Sequence, residues 1–258
     1  MSILAVSNLT KKFGGLTAVN GVDITVQKES ITAVIGPNGA GKTTFFNLVT
    51  GVYQPDNGNV QLGSTSLVGL KPHEISRHGI ARTFQNIRLF SNITVLENVM
   101  VGLHNHLKGG IFGTLLQTPS VRREEKRAKE EAYEWLEYVG LGSLLNEEAK
   151  NLPYGAQRRL EIARALATKP KLLLLDEPAA GMNPRETREL TEFIHRMREE
   201  LNLTIVLIEH DMKLVMEISE QIFVLDHGVK IAEGKPEEIR NNVNVIEAYL
   251  GKSAVTGA

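Results

Sequence analysis

Nine consecutive residues, Gly36-Pro37-Asn38-Gly39-Ala40-Gly41-Lys42-Thr43-Thr44, have the types and spacing to hold phosphate. Their glycines let successive backbone N–H groups turn inward as an anion-binding nest, and a helix starting there adds the positive end of its dipole. In a G-x-x-x-x-G-K-[ST] loop, Lys42 reaches the β- and γ-phosphates and the Thr43 hydroxyl holds Mg²⁺. A second chemically capable pair is Asp176-Glu177, which closes the run Leu172-Leu173-Leu174-Leu175. Carboxylates at the end of a buried strand need a cation or a proton to meet them. Beside a phosphate loop, Asp176 is the expected Mg²⁺ partner, direct or indirect, and Glu177 the group that takes a proton from the attacking water. His210 follows another apolar run, 204–208, which puts it at the C-terminal edge of a sheet, where open α/β folds bind ligands. A histidine there is also often a plain turn residue. These residues imply binding of a nucleoside triphosphate.

The elements that must position them read as follows. Apolar, β-branched Ile31–Ile35 runs into the loop as a buried strand, and Phe45-Phe46-Asn47-Leu48-Val49 leaves it as a helix. Earlier strands are expected at 4–6 and 22–26. Phe13, in a polar, glycine-flanked run, either stacks on a nucleobase or sits half-buried at a strand end. The turn 55–58 precedes a strand at 59–62, and 80–84 reads as a strand ending at Gln85. From about 89 to 166 the texture is helical, with a break at Lys108-Gly109-Gly110 and an apolar patch at 111–116. Ala128, Ala132, Trp135, Leu136 and Val139 recur at helical spacing beside mixed charges that form a solvated face. Pro153 forces the next helix to begin just after it, near Gly155, where its N–H groups make a second anion site. Asn183-Pro184 reads as cap and first residue of a helix reaching 201. A hairpin turns at Asp226-His227-Gly228, and two short helices follow Pro236, with a frayed end after Gly251.

Composition narrows the class. The 258 residues are 42% hydrophobic and 23% charged, enough for one large domain or a core with a subdomain. A net charge of −1 offers no electrostatic ground for binding nucleic acid, and zero Cys excludes disulfides and thiolate metal sites and suits a reducing cytoplasm. No apolar run approaches the roughly 20 residues needed to span a bilayer. The N-terminus lacks the pattern of a secretory signal. Work at a membrane would need another chain to carry this one there.

Phe13, the phosphate loop, Gln85, the segment Leu152–Gln157, Asp176-Glu177 and His210 stand in the order of an ATP-binding cassette (ABC) ATPase, which the chain resembles over nearly its whole length. The resemblance implies an α/β fold: a P-loop NTPase (RecA-like) core of 1–85 and 166–258 with an N-terminal antiparallel β part, and an inserted helical subdomain, 86–165. It implies that Gln85 contacts Mg²⁺ and the attacking water, and that the loop carrying it senses a transmembrane partner. By the same resemblance, His210 would contact the γ-phosphate, and Pro153, Tyr154 and Gly155 would close over ATP bound by a second ATPase subunit, a different chain or a second copy. Permease subunits, and through them an extracytoplasmic substrate-binding protein, are the further partners, at the cytoplasmic face of the cell membrane.

Within the family the chain is similar to importers of branched-chain amino acids. The residues are Arg82-Thr83-Phe84-Gln85, the stretch around Ile111-Phe112, Leu152-Pro153-Tyr154-Gly155, the run 158–166 and Ala248-Tyr249-Leu250-Gly251. Urea importers and lipopolysaccharide-export ATPases share parts of this pattern. A soluble ABC protein acting on DNA or ribosomes is disfavoured because there is neither a coiled-coil insertion nor a second cassette. A P-loop GTPase is disfavoured because Asn-Lys-x-Asp is absent. Two departures stand out. The family signature Leu-Ser-Gly-Gly-Gln reads Leu152-Pro153-Tyr154-Gly155-Ala156, without the Ser hydroxyl, and Asn183 replaces the usual Asp. One lost charge-assisted hydrogen bond costs about 1.5–3 kcal/mol, enough to slow a site without abolishing it.

Overall fold

The computed structural model describes residues 1–104 and 119–250. The expected break at 108–110, the patch at 111–116 and the fraying after Gly251 lie outside the described residues. In chain order, β1 (Ser2–Phe13), β2 (Leu16–Gln27) and β3 (Ile31–Ile35) precede α1 (Lys42–Val49). Then come β4 (Asn57–Leu62), β5 (Thr65–Ser66), α2 (Pro72–His78) and β6 (Ile80–Arg82). Helices α3 (Val95–Leu103), α4 (Pro119–Tyr138) and α5 (Tyr154–Ala167) lead to β7 (Leu172–Asp176), α6 (Pro184–Glu200) and β8 (Thr204–Ile208). The chain continues through α7 (Met212–Ile218), β9 (Gln221–Asp226), β10 (Val229–Gly234), α8 (Pro236–Arg240) and α9 (Val243–Leu250).

These elements form two compact units, Met1–Arg82 with Lys171–Ala258, and Thr83–Pro170. The first holds a six-stranded sheet in the order β10-β9-β3-β8-β7-β6 and a four-stranded one in the order β2-β1-β4-β5. Strands β3, β7 and β8 are buried along their whole length, as runs dominated by Val, Ile and Leu require of strands covered on both faces. They pair in parallel, Val34 beside Ile208 and Ile208 beside Asp176. Parallel pairing puts the C-terminal ends of all three on one edge of the sheet. Phe45 and Phe46 of α1 share one apolar cluster with Val34, Leu174 and Ile208 of that sheet and with Leu4, Leu9 and Ile24 of the other. Helix α1 is therefore anchored by its aromatic side chains, and its N-terminus points where β3 delivers it.

Strands β1 and β2 are 12 residues each, longer than the segments 4–6 and 22–26 expected from apolar runs. Their pairing carries register shifts at both ends, and beyond Val6 only Leu9, Val19 and Val22 are buried among mostly polar or exposed residues. Backbone ladders through polar residues leave no apolar pattern to read. At the edge of the six-stranded sheet, β6 stops at Arg82 rather than reaching Gln85. The Phe84 N–H donates to the Glu161 carboxylate at 3.4 Å, so a side chain takes the place of a ladder carbonyl and the strand ends.

In the second unit, α3 comes so close to α5 that a β-carbon on Gly102 would lie 2.3 Å from the Arg164 carbonyl oxygen. On α4, Ala128, Ala132 and Leu136 are buried, as is Val139 just beyond it, and Trp135 is half-buried. The charged residues of the same helix pair at its surface, Lys129 with Glu125 at 2.9 Å and Lys126 with Glu130 at 3.7 Å.

Candidate functional site

Gly36 follows the last residue of β3, and Gly41 is the cap of α1, with no side chain capping that helix. The first-turn N–H groups of a helix have no partner within it, so the uncapped end of α1 is open to an anion. Two of the glycines are sterically required. A β-carbon on Gly36 would meet the Leu225 carbonyl oxygen at 2.0 Å, and one on Gly41, at φ +99°, would meet that of Ala18 at 2.4 Å. The loop is also held from the side by the β9–β10 hairpin. Its turn residues His227 and Gly228 both have positive φ, as a tight two-residue turn demands. Gly228 N–H donates to the Ala40 carbonyl at 3.0 Å, and Asn20 N–H to the Gly228 carbonyl at 2.8 Å.

Lys42 lies almost wholly buried, its ammonium donating to the carbonyls of Gly36 at 2.7 Å and Pro37 at 3.0 Å. Burial lowers its pKa, while the carboxylates of Glu177 and Asp176 pull the other way. A cation so placed is held in register with the loop and faces two acids. A cleft of about 420 Å³ opens there, lined by Phe13, Asn38, Lys42, Thr43, Thr44 and Glu177 among others. Phe13 is 41% exposed at the end of β1 and makes an edge contact with Tyr53 at 5.2 Å. Leu16, Thr17, Ala18 and His227 also line the cleft, which nothing in their sequence context announced. A groove of about 720 Å³, presenting Met212, Met216, Ile239 and Val245, contains none of these phosphate-handling residues.

Glu177 adopts φ +45°, a left-handed conformation that costs a non-glycine residue energy and persists only where its surroundings hold it. They do so here. Its N–H donates to the Ile208 carbonyl at 2.9 Å, and its carbonyl accepts from Ala180 N–H at 3.2 Å. The turn brings its carboxylate to 3.7 Å from Nδ1 of His210. Behind them Glu209 is buried and accepts from Ala179 N–H at 2.8 Å and His210 N–H at 3.1 Å. Burial raises the Glu209 pKa and these donors oppose the rise. Glu209 thus ties the loop after β7 to the end of β8, a brace that its position in the sequence did not reveal.

Asp176 is buried, and Oδ2 accepts from Arg82 at 2.7 Å. Arg82 also donates to Asn47 at 2.7 Å and Thr50 at 3.3 Å, both on or next to α1. The residue expected to meet Mg²⁺ is therefore already paired with a guanidinium. Replacing Arg82 with Met is expected to destabilise the protein by about 3–5 kcal/mol, because it strands a buried carboxylate. Urea unfolding measures this, and a loss below about 1 kcal/mol would assign the pair the worth of a surface contact. Among the described residues no group of three His, Cys, Asp or Glu is arranged to hold a metal. Thr43 and Asp176 are hard oxygen donors of the kind Mg²⁺ takes alongside substrate phosphates, so the residues fit that ion when a nucleotide supplies the other oxygens.

A strand, an uncapped glycine loop, a buried lysine and two acids at the end of β7, with β8 between the two strands, form an NTP-handling edge. The family model described as "ABC transporter" matches residues 19–180. The chain belongs to the ABC transporter family. A second model, described as "Branched-chain amino acid ATP-binding cassette transporter", matches residues 229–255. The chain is 52% identical to the high-affinity branched-chain amino acid transport ATP-binding protein BraF of Pseudomonas aeruginosa, over 97% of this chain and 98% of that one. It is 53% identical, with the same coverage, to the corresponding protein LivG of Salmonella typhimurium. Among solved structures, the ADP conformation of the ATP-binding cassette MJ1267 superposes with a TM-score of 0.84 at 32% identity, covering 98% of this chain and 100% of the other. A dimeric, post-hydrolysis cassette, MJ0796 with ADP and Pi, gives 0.76 at 25% identity, covering 91% and 99%.

This ABC ATPase, an ATP-binding and ATP-hydrolysing transport cassette with a P-loop NTPase core, carries its altered signature at the start of α5. Pro153 is the cap, Tyr154 is 44% exposed, and no side chain caps the helix. Ala156 faces inward, and Gln157 turns back to the Leu152 carbonyl at 2.9 Å. Asn183, the other departure, caps α6 by accepting from Arg185 and Glu186 N–H at 2.9 and 3.1 Å. Gln85 lies in the second unit, its carbonyl bonded to Arg158 at 2.8 Å. No described helix is long and apolar enough to cross a membrane.

Proposed function

We propose that this ATPase energises uptake of branched-chain amino acids as a peripheral subunit on the cytoplasmic face of the membrane. The observation that supports this reading most is its 52–53% identity, over nearly its full length, to transport ATPases named for those substrates. In this reading the unit Met1–Arg82 with Lys171–Ala258 binds the nucleotide, and Thr83–Pro170 meets the permeases. Phe13 stacks on the adenine, and the N–H groups of residues 36–44 with Lys42 hold the phosphates. Glu177 takes the proton of the attacking water, with His210 at the γ-phosphate and Gln85 orienting the water. Thr43, Asp176 and Gln85 hold Mg²⁺, which when bound screens the charge on the phosphate oxygens. Asp176 would hold the ion while one of its carboxylate oxygens stays paired with Arg82.

Pro153, Tyr154 and Gly155 cap the nucleotide of a second cassette, so the working unit is a dimer. The missing signature hydroxyl favours a partner of different sequence and two unequal sites. Co-expression with candidate permeases, purification, and reconstitution with a substrate-binding protein test the reading. ATP-dependent accumulation of labelled leucine is the expected result. Failure to co-purify with any polytopic membrane protein, or accumulation of urea in place of leucine, would overturn it.

A further inference from the structure

Arg158 is fully buried, and Glu161, three residues on, is 1% exposed. Both are on α5, one and two turns after Tyr154, on the same face. Their polar atoms converge on the segment that carries Gln85. Arg158 Nη1 donates to the Phe84 carbonyl at 2.6 Å and to Glu161 Oε2 at 2.9 Å, and Nη2 donates to the Gln85 carbonyl at 2.8 Å. Nη2 also lies 3.4 Å from the Tyr154 hydroxyl. Glu161 Oε1 in turn accepts from the N–H groups of Phe84 at 3.4 Å and Arg88 at 3.1 Å. Burial raises the Glu161 pKa, while those N–H groups and Arg158 oppose the rise. One ion pair therefore holds backbone on both sides of Gln85 and touches the first residue of α5.

A buried ion pair is poor evidence of stabilisation, since apolar residues of similar volume often do as well. What a guanidinium supplies is direction. Its rigid planar fork holds two successive carbonyls and the Glu161 carboxylate in one fixed geometry, which the compact, freely rotating ammonium of lysine does not impose. We propose that Arg158 and Glu161 are positioning residues that fix the peptide planes flanking Gln85 relative to the first turn of α5. The Gln85 side chain and the Pro153–Gly155 segment then move as one body during the ATP cycle. This rests on the roles given to Gln85 and to that segment above.

The test is a double-mutant cycle on the assembled transporter, measuring kcat and KM for ATP hydrolysis in Arg158→Lys, Glu161→Gln, Gln85→Ala and the two doubles with Gln85→Ala. Arg158→Lys is expected to lower kcat at least about tenfold with KM unchanged, since the phosphate loop lies in the other unit, and Glu161→Gln to lower it less. In the Gln85→Ala background either change should have almost no further effect, because each acts through that side chain. Full multiplication of the losses would overturn the clamp, as would a KM that moves with kcat or an Arg158→Lys variant at wild-type turnover. If Arg158→Lys does not assemble, the Glu161→Gln cycle decides by the same criteria, since Gln keeps the oxygen that accepts from Phe84 and Arg88. A silent Gln85→Ala would instead remove the role given to Gln85, an outcome distinct from multiplying losses.

Discussion

Glu177→Gln is expected to lower ATP turnover by about 10²–10⁴-fold, the usual worth of a positioned general base, while nucleotide affinity stays close to wild type. The reasoning is geometric. The carboxylate borders the cleft at the end of the phosphate loop and lies 3.7 Å from His210. Gln has the same shape but cannot take a proton at neutral pH. The backbone at this position is held by Ile208 and Ala180, so the loop should keep its form. Phosphate release and equilibrium nucleotide binding measure the two effects. Turnover above a tenth of wild type would remove Glu177 from the role. With binding retained and hydrolysis blocked, the variant should also accumulate as an ATP-bound dimer, visible by size-exclusion chromatography. Introduced separately into each subunit of the assembled transporter, the substitution should cause unequal losses, and equal ones would count against two unlike sites.

Lys42→Ala is expected to weaken ATP binding by about 10–150-fold, the equivalent of one charge-assisted hydrogen bond of about 1.5–3 kcal/mol. The Lys42 ammonium rests on the Gly36 and Pro37 carbonyls, so on nucleotide binding it is expected to exchange two neutral acceptors for charged phosphate oxygens without leaving the loop. Because it is already partly desolvated, its attraction to phosphate is less screened than that of a surface lysine. Alanine removes the cation and also frees two loop carbonyls, so loop order should fall with affinity. Titration with a fluorescent ATP analogue checks the outcome. Unchanged affinity would mean that the N–H nest alone holds the phosphates.

Much of the site was legible as sequence because its parts are local. A glycine loop followed by Lys-Thr declares its chemistry within nine residues. The runs 31–35, 172–175 and 204–208 could only be strands buried on both faces, and their C-terminal ends carry Gly36, Asp176 and Glu209. Sheet order was not legible. It took the parallel pairing of β3 with β8 and of β8 with β7 to bring those three ends together. The long antiparallel strands β1 and β2 were underestimated because hydrogen-bonded backbone between polar side chains leaves no hydrophobic period.

The sequence by itself determined that this chain binds a nucleoside triphosphate and which acids stand ready beside it, since short-range backbone geometry and hydrophobic runs encode both. Tertiary structure alone decided what holds those groups in place. Arg82 reaches Asp176 across 94 residues of chain, Arg158 reaches Phe84 across 74, and the β9–β10 turn steadies the loop at Ala40. A charged side chain reads the same in a sequence whether it ends in water or against a distant partner. Only the fold excludes the water, and the partner then becomes obligatory.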